Sequence, residues 1–261
     1  AGGAMADTVG WRTALVGAGV LGGLVFVFAL LVIPRTPPRR QTEDDRTPFV
    51  REALRLMSAP GFRWLFVAAV MIGFASAPFY VFSSPFLIRT HGFTASEVGL
   101  SFGLLQGALG VVGALLGGRG FDRAVRSGQG RVIGLPGWLF LISAFTTAAA
   151  LFAPTGWMSI VLFVPTMFAF ALLLPWAFGA AHLVAGPGRQ AMATSLMLIG
   201  SGLVGPALGP VIVGAVSDAA AANGLGNTLG LGLLIVPIAS ALTGIATLIA
   251  NGRIAVALRS R

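Results

Sequence analysis

Few side chains in this sequence can do acid, base or metal chemistry, and their positions are informative. His91 and His182 are the only groups whose ordinary pKa lies near neutrality. The eight carboxylates are Asp7, Glu43, Asp44, Asp45, Glu52, Glu97, Asp122 and Asp218. None stands in the middle of a long apolar run, and neither does any of the seventeen basic residues, all of which are arginine. Ionisable groups at bilayer depth mark proton relays and ion sites, so these runs hold none, and a coupling carboxylate would belong to sequence before residue 1. The histidines read as interfacial residues. With no cysteine there is no disulfide or thiolate metal site, and no metal or cofactor is expected. With no lysine there is no Schiff-base attachment point for retinal.

Nucleophilic chemistry is equally thin. Gly200-Ser201-Gly202 sets a hydroxyl in a flexible stretch, with His182 as the nearest imaginable base. His182 lies at the end of the preceding run, while Ser201 lies several turns into its own. No catalytic residue, and no enzyme, is expected.

The weakly polar and aromatic residues inside the runs make a better set. Phe79, Tyr80, Ser83 and Ser84 lie between Pro78 and Pro85, two helix breakers whose pairing predicts a discontinuous helix open to a cavity. Gln106 sits at the centre of an apolar run, where an amide seeks another helix or a cavity rather than lipid. Met167, Phe170 and Trp176 offer adaptable and flat surface. Ser201 completes the candidate substrate-cavity set.

Positioning these residues requires spanning helices. Of 261 residues, 56% are hydrophobic and 10% charged, with a mean hydropathy of +0.90. Long uncharged runs cover 14–33, 64–88, 98–116, 132–152, 157–184, 192–216 and 229–250. Each is near the ~20 residues that cross ~30 Å of hydrocarbon. They lack the alternation of barrel strands, so an all-α, polytopic membrane protein of seven spans is expected.

A net charge of +9 is of the sign that binds nucleic acid, but its distribution fits a membrane instead. With the start outside, Arg12 and Arg89 fall outside and the remaining fifteen arginines on the other side, which sets the C-terminus in the cytoplasm and the protein in the inner membrane. Residues 1–34 read as an outer loop and a first span. Residues 35–62 form a cytoplasmic linker, 63–252 a six-span bundle, and 253–261 a tail. Within the linker, Thr47 and Pro48 begin a short amphipathic helix with Phe49, Val50, Ala53, Leu54 and Met57 opposite Arg51, Glu52 and Arg55.

One loop carries a recognisable pattern. Gly117-Gly118-Arg119-Gly120-Phe121-Asp122-Arg123, followed by Arg126, resembles the loop signature of the major facilitator superfamily, with Gly120 where that family usually has Leu. The external turn through Phe86-Leu87-Ile88-Arg89 to Glu97-Val98-Gly99-Leu100 and the opening Gly10-Trp11-Arg12 fit the same superfamily. The stretch from Gly200 through Gly205-Pro206, Gly209-Pro210 and Gly214 to Ser217-Asp218 is similar to the eleventh span of spinster-like lipid transporters.

The resemblance implies the superfamily fold, with this chain supplying one helix of the N-terminal bundle and the six-helix C-terminal bundle. The rest of the N-terminal half is then a partner missing from this sequence. It also implies Gly118, Asp122 and Arg123 as the gating-loop motif. The implied function is secondary transport of an amphipathic substrate, a lysophospholipid or sphingoid-type lipid, by alternating access with proton coupling. Membrane lipids are the surroundings. A small organic ion or drug-like substrate is the alternative, and an intramembrane serine hydrolase a remote one.

Overall fold

A computed structural model describes residues 11–32, 49–127 and 134–259, and every structural statement below concerns those residues. The proline-rich part of the linker, Thr47, Pro48, Asp7, Glu43, Asp44, Asp45 and Arg131 lie outside them. The chain divides into two units, residues 1–47 and 48–261. The first holds α1 (Trp11–Val32), an uncharged helix from residue 15 onward and long enough to span.

The second unit is a bundle of α2 (Phe49–Ser58), α3 (Pro60–His91), α4 (Ala95–Arg126), α5 (Leu135–Leu151), α6 (Gly156–Ala185), α7 (Gln190–Ile199), α8 (Gly205–Ala222), α9 (Thr228–Gly232) and α10 (Ile235–Arg259). Among the described residues there is no strand. Six stretches have the length and apolar character to cross a membrane, α7 and α8 forming one of them and α9 with α10 another. The expected fourth span is shorter: α5 has 17 residues, about 25 Å of helix.

Local chemistry sets the helix ends. Pro60 opens α3, and Gly92 closes it in the left-handed region at φ 72°, donating its N–H to Ile88 O. Thr94 and Glu97 then form a reciprocal capping box that starts α4. Thr155 caps α6. Asn227 accepts from Gly230 N and donates from Nδ2 to Leu151 O at 2.7 Å, so one side chain starts α9 and ties it to the end of α5.

Two differences from the sequence reading have clear physical causes. Despite Pro78 and Pro85, α3 is an unbroken helix. Gly209 of α8 lets that helix close on Pro78 and on Phe74 O, the carbonyl that Pro78 leaves without its N–H donor, so a neighbouring helix supports the proline turn. The amphipathic helix α2 forms, but Leu56 is its buried anchor, and Glu52, assigned above to the polar face, pairs with Arg189 at 2.7 Å. Val50 and Leu54 are left exposed. Docking against α3 and α7 uses a face between the two that a helical projection separates.

The core has two parts. Rings of Phe79, Phe86, Phe102, Phe140, Phe163 and Phe170 fill the half nearer the α3–α4 turn. Leu56, Phe62, Leu65, Phe121, Trp176 and Ile254 fill the half nearer the arginine-rich end. Hydroxyls buried between α5 and α6 satisfy one another: Thr147 Oγ1 bonds Thr166 Oγ1, and Ser159 Oγ donates to Ala150 O at 2.8 Å.

Candidate functional site: the open face of α3 and α4

Phe79 on α3 is buried with its ring 5.9 Å from Phe102 of α4, 5.2 Å from Phe163 and 5.5 Å from Phe170 of α6. The contacts with Phe163 and Phe170 are edge-on and that with Phe102 is tilted; such aromatic pairs are favourable and fix the level at which the three helices meet. Tyr80, the next residue, turns outward. It keeps a ring contact with Phe170 at 5.9 Å, yet 48% of it is exposed. Gln106 lies one turn beyond Phe102 on α4, about 6 Å along the axis, and is half-buried. Beside it Gly103 and Gly107 are exposed, with nothing near where their side chains would be.

Neither the Tyr80 hydroxyl nor the Gln106 amide has a hydrogen-bond partner among the described residues. In a surface this apolar, two such groups at neighbouring levels are set to receive a polar atom from elsewhere. Ser84 is half-buried near Tyr80. These three and Ser201 are the predicted cavity residues that keep access to the outside of the bundle.

The other candidates sit deeper. Phe79, Ser83, Met167 and Phe170 are buried in the aromatic core, and the Ser83 hydroxyl is taken up by Phe79 O. Trp176 is buried in the second core, edge-on to Phe121 at 5.5 Å. Trp176 and Ser201 line an apolar crevice of about 30 Å3 with Leu65, Thr247 and Asn251. Buried Asn251 Oδ1 has no partner among the described residues. Apolar periodicity cannot single out Thr247 and Asn251, because each needs the neighbouring helix to become part of a wall.

Ser201 lies in the most irregular stretch of the bundle. Residues Gly200–Val204 form a π turn between α7 and α8. Pro206 follows it: a proline has no N–H to offer Gly202 O in an α ladder or Ser201 O in a π ladder. Ser201 O instead faces α3, where a Cβ on Gly73 would come within 2.6 Å of it. Gly205 is closer still, and a Cβ there would stand 2.1 Å from Gly73 C. The helices thus cross backbone to backbone. Ser201 Oγ donates to Met197 O at 2.9 Å, and His182 Nε2 meets Thr194 Oγ1 at 2.7 Å. Hydroxyl and imidazole are each engaged elsewhere, so no serine–base pair exists here.

At the other end of α4, Gly118 has open space where a Cβ would be, and Asp122 and Arg123 are exposed. Among the described residues no group of three or more potential metal ligands occurs.

The model of the Major Facilitator Superfamily matches residues 1–210. The chain belongs to that superfamily. Its superfamily is one of transporters rather than enzymes, in keeping with the engaged Ser201 and His182. It is 29% identical over 254 residues to an MFS-type efflux pump of Mycolicibacterium smegmatis, covering 93% of this chain and 56% of the pump. Its fold is shared with an inward-facing, unoccupied bacterial homologue of the human lysosomal transporter Spinster, at TM-score 0.64 and 24% identity over 96% of this chain and 59% of that one. The Escherichia coli fucose:proton symporter gives TM-score 0.66 at 16% identity, over 93% and 57% of the two chains. The superfamily chain described here therefore spans somewhat more than half the length of these relatives.

Proposed function

We propose that the chain is part of a secondary transporter that carries an amphipathic, lipid-like substrate by alternating access. In this reading the open face of α3 and α4 forms one wall of a cleft completed by a second bundle. The observation that carries it is the pair of unpartnered polar groups, Tyr80 Oη and the Gln106 amide, on a surface with no charge. A substrate with a polar head and an apolar body matches such a wall, with any charge on the head answered by the second bundle. The arginine-rich end lies in the cytoplasm, the start of the chain outside, and the membrane is the inner one. Gly118, Asp122 and Arg123 stand at that cytoplasmic end, where access changes. Any coupling carboxylate lies in the second bundle.

A second reading, export of a drug-like organic molecule, is favoured by the efflux pump's identity across 93% of this chain. Flux decides between them. In proteoliposomes holding the native protein, a fluorescent lysophospholipid should move under an ion gradient. Gln106→Ala and Tyr80→Phe should each lower that flux about 2- to 12-fold, the worth of one ~0.5–1.5 kcal/mol hydrogen bond, with thermal stability unchanged. Movement of drug-like compounds with no lysophospholipid flux would replace the first reading by the second.

A further inference from the structure

The end of α4 carries three arginines that its packing does not use. Arg119, Arg123 and Arg126 follow at spacings of four and three, which places them on one side of the helix. All three are exposed. The opposite side, with Gly113, Gly117, Phe121 and Ala124, is buried, and Gly117 and Phe121 pack on α6. With Leu116 and Gly120 the three arginines line an open groove of about 500 Å3.

Among the described residues none of the three is in an ion pair; the pair that does occur is Glu52–Arg189. Asp122 beside them supplies one negative charge against three positive ones. Like charges at this spacing repel, so the row is held ready for an anion. Leu115 and Leu116, 53% and 52% exposed, continue the same surface towards the middle of the span.

We propose that this row is a headgroup site for an anionic phospholipid. The guanidinium forks grip the phosphodiester, and the acyl chains run along Leu115 and Leu116. A charged head joined to an apolar body is what such a surface asks for, because the basic groove opens onto apolar helix rather than onto a second polar wall. A free phosphate would use the arginines and leave the leucines bare. A protein segment would have to supply acidic and apolar residues in the same order.

The test is lipid retention by the native protein in detergent, read by native mass spectrometry with phosphatidylglycerol and phosphatidylcholine. The wild type should hold phosphatidylglycerol in preference. Arg119→Gln, Arg123→Gln and Arg126→Gln should each weaken it about fivefold, and the triple variant on the order of a hundredfold. Phosphatidylcholine retention should stay level, and Arg51→Gln with Arg55→Gln on α2 should behave as wild type. Equal retention of both lipids by the wild type would overturn the proposal and show that the rest of the protein covers the row. Displacement of phosphatidylglycerol by equimolar inorganic phosphate would overturn it in favour of a simple anion site. If the triple variant does not fold, the wild-type comparison and the single variants decide between these outcomes.

Discussion

Replacing Gly205 by Ala tests whether α3 and α8 really meet through their backbones. The added Cβ would lie 2.1 Å from Gly73 C and 2.3 Å from Phe74 N, where ordinary contact begins near 3.4 Å. The helices must then part by about 1.3 Å, the difference between 3.4 and 2.1. The atoms met are main chain, so no rotamer change can make room. The cost should reach the top of the overpacking range, about 3 kcal/mol. Gly214→Ala on the same helix is the control, for nothing lies within 4 Å of its added methyl, and it should gain about 0.5–1 kcal/mol from helix propensity. At about 2–4 °C per kcal/mol for a chain of this size, Gly205→Ala should lower the melting temperature by about 6–12 °C. Gly214→Ala should leave it level or slightly raised. The assay is fluorescence-detected size exclusion of detergent-solubilised protein after heating. If the two variants melt within about 2 °C of each other, the backbone contact does not hold these helices together.

Two further outcomes follow from buried polar groups and from the α2 dock. Thr166→Val strands the Thr147 hydroxyl between α5 and α6 and should cost about 1–3 kcal/mol, whereas Thr147→Val leaves Thr166 Oγ1 donating to Ser143 O at 3.3 Å and should cost less. The double variant should cost less than the sum of the two, as a double-mutant thermal-melt cycle would reveal. Glu52→Gln or Arg189→Gln should free α2 from the bundle, so that hydrogen exchange across residues 49–58 speeds up several-fold while exchange in α6 does not; unchanged exchange in α2 would show that Leu56 alone anchors it.

How much of the molecule is readable from its sequence depends on what sets each feature. The spans are legible because bilayer thickness dictates run length, and the start of α4 because Thr94 and Glu97 carry their own capping chemistry. The superfamily is legible in Asp122, Arg123 and the glycines around them. Other features depend on partners. Nothing local in Phe79, Met167 or Trp176 distinguishes a ring that fills the bundle from one that lines a cleft, since both are apolar residues on apolar helices. Tyr80 and Phe79 are neighbours with opposite fates, decided by Phe102 and Phe163 across the interface. The α2 dock is illegible for the same reason, because Arg189 stands 137 positions from Glu52. Pro78 and Pro85 suggest a break, but α3 runs through both, and at Pro78 the helix that supports the turn is the one carrying Gly209.

The π turn also changes the phase of the span it interrupts. Burial along α7 runs through Ala193, Leu196, Met197 and Gly200, then steps five places to Gly205 before resuming by fours at Gly209 and Val213. An unbroken helix would bring Leu203, Ala207 and Val211 inward, and it is these that face out. One surplus residue thus rotates α8 by about 100°, presenting its slim edge to α3 and its bulky edge to the surroundings. Removing a single residue between 200 and 204 would let a plain α turn carry Gly200 to Gly205 in four steps and keep the slim edge on α3. Winding the same residues into an unbroken α-helix would keep all the greasiness and lose the fit.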